Sequence, residues 1–176
     1  RRPRHSLIKR VQTGLPRSEP FGLPERSRLR VSEQDASHYA KEGWLERIGH
    51  GVYAFPNDKL SMPGMVRHLQ RRVEGLHVGG RSALALQGVR HNLDSNRTLV
   101  LWGDTRYSLP EWFTSRQPAR YTSASLFEWP DADLPSRTLA TPLGVADGLL
   151  VSTPERATLE MLYDVGTKES LEETRN

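Results

Sequence analysis

The stretch GWLERIGHGVYAFP, Gly43 to Pro56, carries the most local information in the chain. Trp44 to Ile48 and Val52 to Phe55 are rich in aromatic and β-branched residues, which suit a pleated, half-buried surface. Between them Gly49-His50-Gly51 supplies two residues that take positive φ at no steric cost, as a tight turn requires. Pro56-Asn57-Asp58 then ends the pattern. The stretch predicts a two-stranded hairpin with His50 at its tip.

Toward the N-terminus, the residues before Gly43 predict a helix over Ser32–Glu42. Ser32 is a good N-cap, Asp35 three residues on imitates a capping box, and Gly43 supplies the stop. Ala36, Tyr39 and Ala40 share its apolar face, while Glu33, Gln34, Ser37, His38 and Lys41 point away. Further upstream, HSLIKRVQT places Leu7, Ile8 and Val11 on one side of a first helix. Pro16, Pro20 and Pro24 forbid one continuous helix through the next segment, and a short second helix starts near Pro24, where proline is tolerated in a first turn. Three helices followed by a hairpin is the order of a winged helix-turn-helix.

Beyond a boundary at residue 57, the chain alternates helix and strand. MPGMVRHLQRRVEG reads as helix, LHVGG as a short strand, RSALALQGV as a helix closed by Gly88, and TLVLW as a buried strand. ARYTSASLFEW reads as another strand and TPLGVADGLLVS as one or two more. TPERATLEMLYDV is a helix with Thr153 as cap and Pro154 in its first position. The predicted architecture is α+β: a winged helix-turn-helix over residues 1–57 and a mixed α/β domain over 58–176.

Composition sets outer limits. No run approaches the roughly 20 apolar residues that cross a bilayer. No charged-then-apolar leader opens the chain. With no cysteine there is no disulfide, thiolate metal site or thiol nucleophile, which fits a reducing, cytoplasmic setting. The chain opens on Arg1 rather than methionine and ends in the polar KESLEETRN, as a fragment would. The net charge of +4 is unevenly spread: residues 1–56 hold 11 Lys/Arg against 6 Asp/Glu, and residues 57–176 hold 14 against 15. A basic module opened by Arg1, Arg2 and Arg4, beside a near-neutral one, suits a polyanion-binding part joined to something else.

The candidate interface is the third helix with the hairpin. A packed helix can enter the major groove, about 12 Å wide, and touch base edges with its N-terminal half. Gln34, Ser37 and His38 are the polar residues placed for that, and Gln34 has the amide geometry for adenine. Lys41, Arg47 and His50 suit phosphates, which set register and salt dependence rather than sequence. Glu33 is the awkward member, repelling phosphate yet able to accept from cytosine. A helix face of this composition also serves as plain solvated surface.

The alternative is a metal-dependent nucleotidyltransferase or nuclease-like enzyme with the hairpin unit as its DNA-binding module. Gly79-Gly80, after a strand and before a helix, is how a nucleotidyltransferase opens its active site, with backbone amides toward phosphate. That chemistry also needs two carboxylates one residue apart on the next strand to hold divalent metal. The segment 96–104 contains no Asp-x-Asp or Asp-x-Glu, and Asp94 and Asp104 lie outside its core. His68, His77 and His91 lack metal-ligand spacing, Ser82 and Ser125 lack a nucleophile elbow, and the Asp131-Ala132-Asp133 run reads as a solvated turn. Glu155 and Arg156 read as the ordinary start of a packed helix. No catalytic residue, metal or cofactor is expected.

Three blocks in order, YAKEGWLERIGHGVYAFP (39–56), HVGGRSALALQGVRH (77–91) and STPERATLEML (152–162), resemble the AbiEi-like antitoxins of type IV abortive-infection modules. The resemblance covers residues 5 to 165. It implies a winged helix-turn-helix that binds inverted repeats in the operon's own promoter and represses it. It also implies a C-terminal domain that counters a nucleotidyltransferase-like toxin, directly or indirectly, and two copies acting together on DNA. By position it makes Ser32–Glu42 the recognition helix and Trp44–Phe55 the wing. Members often run longer at the C-terminus, so the antitoxin part is expected to be incomplete here.

Overall fold

The computed structural model describes residues 4–88, 98–144 and 148–173. The fold is mixed α+β and divides into two units: one runs to His68 and takes in Pro110–Trp112, and the other holds the remainder. Among the described residues no helix is long and apolar enough to cross a membrane.

The first unit orders α1 (Arg4–Gly14), α2 (Leu23–Arg28), α3 (Glu33–Lys41), β1 (Glu46–Gly49) and β2 (Val52–Ala54). Its core gathers Val11 from α1, Leu15 just after it, Ala36 and Tyr39 from α3, and Phe21, Tyr53 and Phe55 around the hairpin, with Leu7, Ile8 and Ala40 at its margin. Pro24 stands in the first turn of α2, and Glu25 Oε2 accepts from the Gly22 N–H at 2.8 Å, closing that helix's start. The proline-broken segment before it has its own role. Phe21 is extended and exchanges two backbone hydrogen bonds of 2.9 Å with Tyr53, adding a bridge to the hairpin's inner strand.

Both ends of α3 are closed as the capping logic predicts. Ser32 Oγ accepts from the Asp35 N–H at 3.0 Å, and Asp35 Oδ2 accepts from the Ser32 N–H at 3.1 Å. At the other end Gly43 takes φ +79°, the Trp44 N–H donates to Tyr39 O, and the Gly43 N–H donates to Ala40 O. That closure uses Trp44, so β1 begins only at Glu46 and the Trp44 side chain is 49% exposed. The hairpin pairs Glu46 with Ala54 and Arg47 with Tyr53, then shifts register before Gly49, with Gly51 at φ +66° in the turn.

α4 (Met62–Gln70) leads into the second unit. There β3 (His77–Val78), α5 (Gly80–Leu86), β4 (Leu99–Trp102), α6 (Glu111–Thr114), β5 (Ala119–Thr122), α7 (Leu134–Arg137), β6 (Leu139–Ala140), β7 (Val151–Ser152) and α8 (Pro154–Glu173) follow. The sheet order is β5-β4-β3-β7-β6. β4 runs parallel to β5 and antiparallel to β3, β3 runs parallel to β7, and β6 runs antiparallel to β7. Every residue of β4 is buried, as expected of TLVLW, and α5 packs on α8.

What ties α8 to the sheet is a carboxylate. Glu160 is fully buried; its Oε1 accepts from Arg156 Nε at 2.9 Å and faces His77 Nε2 at 3.0 Å. Its Oε2 accepts from the Gly80 N–H at 2.8 Å and from Ser152 Oγ at 2.9 Å. His77 Nδ1 stands 2.6 Å from Gly75 O, so both ring nitrogens face oxygens. A Cβ on Gly79 would collide with both this carboxylate and the Trp102 indole, which fixes the need for glycine there.

Two outcomes follow from these contacts. Ser32→Ala should cost about 1 kcal/mol of stability by urea unfolding, while Ser32→Asp retains it. The second concerns pH. Burial works to raise the Glu160 pKa, but the His77 hydrogen bond and charge, the Gly80 N–H and Ser152 outweigh it and hold the carboxyl below its ordinary range. A depressed folded pKa stabilises above the ordinary glutamate value, about 4.3, and that contribution is lost as pH falls through the folded value. Urea titrations should show Glu160→Gln about 3 kcal/mol less stable near neutrality, with the gap to the wild type narrowing at acid pH.

Candidate nucleic-acid interface

The core packing of Ala36 and Tyr39 turns the opposite side of α3 outward beside the hairpin turn. A concavity of about 690 Å³ opens there, lined by Gln34, Ser37, His38 and Lys41 of α3 and by Arg47, His50 and Gly51 of the hairpin, with Glu33. Six of the residues singled out from the sequence thus share one surface. Among the described residues, the side chains of Gln34, Ser37, Lys41 and His50 make no hydrogen bond or ion pair. Arg47 Nε reaches only Gly49 O, at 3.4 Å. His38 Nε2 is 3.0 Å from Glu42 Oε1, one helical turn on, so its ring is oriented by a carboxylate.

Three other residues stand apart. Ser32 does not line the concavity, and its hydroxyl is engaged with Asp35, donating to Oδ2 at 2.6 Å. Arg4 is the first residue of α1, and Arg2 lies outside the described residues.

Glu33 is where the geometry adds most. Tyr53 Oη donates to Glu33 Oε1 at 2.8 Å, and Arg26 Nη2 lies 2.6 Å from Glu33 Oε2. The Tyr53 hydrogen bond, then Arg26, Arg47 and His50, hold this carboxyl below its ordinary range despite some desolvation. Burial and the same hydrogen bond push the Tyr53 hydroxyl up, so it stays a donor. Arg26 is itself buried, and its guanidinium lies 5.7 Å from the Tyr53 ring. The one acidic residue on the concavity is therefore neutralised from behind. Neither partner was legible as such in the sequence: Arg26 belongs to another helix, and Tyr53 reads only as a strand aromatic.

The residues of the enzymatic reading arrange differently. Asp94 lies outside the described residues, and Asp104 is exposed just after β4. The Gly80 N–H, which that reading aims at a phosphate, is taken by Glu160. Among the described residues no group of three His, Asp or Glu is placed to hold a metal ion. His77 and Arg156, read as unremarkable in the sequence, instead meet Ser152 and Glu160 in one buried network. Only the Arg156–Glu160 spacing, one helical turn, hinted at it.

Comparison with known proteins addresses the chain as a whole. No protein of curated function matches it. The crystal structure of the RV2827C protein from Mycobacterium tuberculosis is similar at 18% identity and TM-score 0.41, over 68% of this chain and 46% of that one. The chain thus spans less than half the length of that protein. Residues 4–95 match the transcriptional-regulator AbiEi antitoxin N-terminal domain, and residues 96–176 match the AbiEi antitoxin transcriptional regulator of type IV toxin–antitoxin systems. The chain belongs to the AbiEi antitoxin family, transcriptional regulators of type IV toxin–antitoxin systems.

Proposed function

We propose that the first unit is a winged helix-turn-helix, with α3 as recognition helix and the β1–β2 hairpin as wing, and that it binds duplex DNA. Two copies would bind inverted repeats in the promoter of their own operon and repress it. Residues 58–176 would serve as the antitoxin domain against a nucleotidyltransferase-like toxin, by contact or indirectly. On this reading the protein acts in the cytoplasm and catalyses no reaction. The carrying observation is the concavity on which α3 and the hairpin present Gln34, Ser37, His38, Lys41, Arg47 and His50 together.

The chemistry divides by residue type. Gln34, near the start of α3, is the base reader, with a side-chain amide that can bond adenine at two points. Ser37 and His38 extend that row. Lys41, Arg47 and His50 meet phosphates, and the basic arm of Arg2 and Arg4 adds backbone charge. Glu33, tied to Tyr53 and Arg26, is a positioning residue that joins helix to wing and presents little unbalanced charge to DNA.

Gel-shift titration against promoter duplex at several salt concentrations tests this. Arg47→Ala and His50→Ala should weaken binding almost equally on all sequences, and Arg47→Ala should lower the slope of log affinity against log salt by about 1. Gln34→Ala should instead narrow the gap between promoter and random duplex, by about 1–3 kcal/mol. Binding without salt dependence, or without preference over random duplex, would remove the repressor reading.

A further inference from the structure

The second unit holds a cavity of about 180 Å³ that the DNA-binding reading does not use. Its lining includes Trp102, Asp104, Ser125, Phe127, Trp129 and Arg156, with His77 at its buried end. Trp102 is 3% exposed, and its indole N–H is buried with no hydrogen-bond partner among the described residues. A buried donor left unmet is costly, so a ligand acceptor that meets it is favoured. The Phe127 and Trp129 rings stand 4.9 Å apart, and the Arg156 guanidinium lies 5.6 and 5.4 Å from them. The Glu160 network holds that guanidinium from the other side, and Arg156 Nη1 donates to Thr138 Oγ1 at 2.9 Å.

This lining selects among ligand classes. A hydrocarbon would leave the buried indole N–H unsatisfied. A simple anion is disfavoured, because Asp104 adds negative charge to the wall and Glu160 already balances the cationic side. The volume holds one small ring system rather than a peptide. What fits is a flat heterocycle with donors and acceptors on its edge: the indole N–H meets an acceptor, Asp104 takes an N–H, and aromatic rings with a guanidinium give stacking surfaces. Unstacked bases are recognised by this combination of aromatic or guanidinium stacking and edge hydrogen bonds.

We propose that this cavity binds a single nucleobase, supplied by a free nucleotide or by an unpaired strand. The test is calorimetric titration of the full chain with the four nucleoside monophosphates, ribose 5-phosphate and short unstructured oligoribonucleotides. At least one base should bind saturably while ribose 5-phosphate does not. Trp102→Phe, which keeps a ring and removes the N–H, should weaken that binding about tenfold, and Asp104→Asn should change the ranking of the four bases. If Trp102→Phe does not fold, Trp129→Leu at the wall should give a loss of about tenfold through stacking. Promoter-duplex affinity should stay at the wild-type value in all three variants. An oligoribonucleotide binding more than tenfold better than its nucleotide identifies an unpaired strand as the source, and equal affinity identifies the free nucleotide. Absence of saturable binding by any nucleotide at millimolar concentration overturns the proposal. So does ribose 5-phosphate binding as well as the nucleotides, or wild-type affinity in both Trp102→Phe and Trp129→Leu.

Discussion

Tyr53 is the constraint on which the first unit turns. Its ring is fully buried, its backbone exchanges two hydrogen bonds with Phe21, and its hydroxyl reaches Glu33 in the first turn of α3. One residue on the hairpin's inner strand, through its backbone and its side chain, therefore ties together the segment between α1 and α2, the hairpin and the start of α3. Arg26 completes the joint from α2 by meeting the other Glu33 oxygen. The spacing of the polar residues on the concavity depends on this joint, since Gln34, Ser37 and His38 ride on α3 while Arg47 and His50 ride on the hairpin. A polar connection of this kind specifies one arrangement, because any slip separates the Tyr53 hydroxyl and the Arg26 guanidinium from the Glu33 carboxylate they share.

The second unit uses an acidic counterpart. Glu160 brings a carboxylate to the Gly80 N–H at the point where the sequence suggests a phosphate cradle. An internal anion thus occupies the amide that a nucleotide would need, and the groups around it, Arg156, His77 and Ser152, are spent on holding α8 to β3 and β7. Gly79 is explained by the close approach of Glu160 and Trp102 to the backbone, and Gly80 by its φ of +50°.

Local signals were legible wherever the controlling residues lie close in sequence. The Ser32–Asp35 box, the Gly43 stop, the Gly51 turn and the buried TLVLW strand each follow from a few neighbouring residues. The three blocks carrying the family resemblance were legible in the same way, and the family matches agree with them. Lengths and distant partners were not. The first hairpin strand is shorter than its composition suggests because the helix closure consumes Trp44. The strand expected from Ala119 to Trp129 ends at Thr122, where β4 stops offering partners. The short elements α6, α7 and β6 carry no periodicity long enough to read. The links Tyr53–Glu33 and His77–Glu160 span 20 and 83 residues, and no spacing rule reaches across them.

The central claim is that α3 and the hairpin form one DNA-contacting face. Amide and side-chain chemical-shift perturbation on adding promoter duplex to the isotopically labelled full chain tests it residue by residue. The account predicts the largest changes at Gln34, Ser37, His38, Lys41, Arg47, His50 and Gly51, fading as salt is raised. Changes that spare this face and fall instead on residues of the second unit would contradict it.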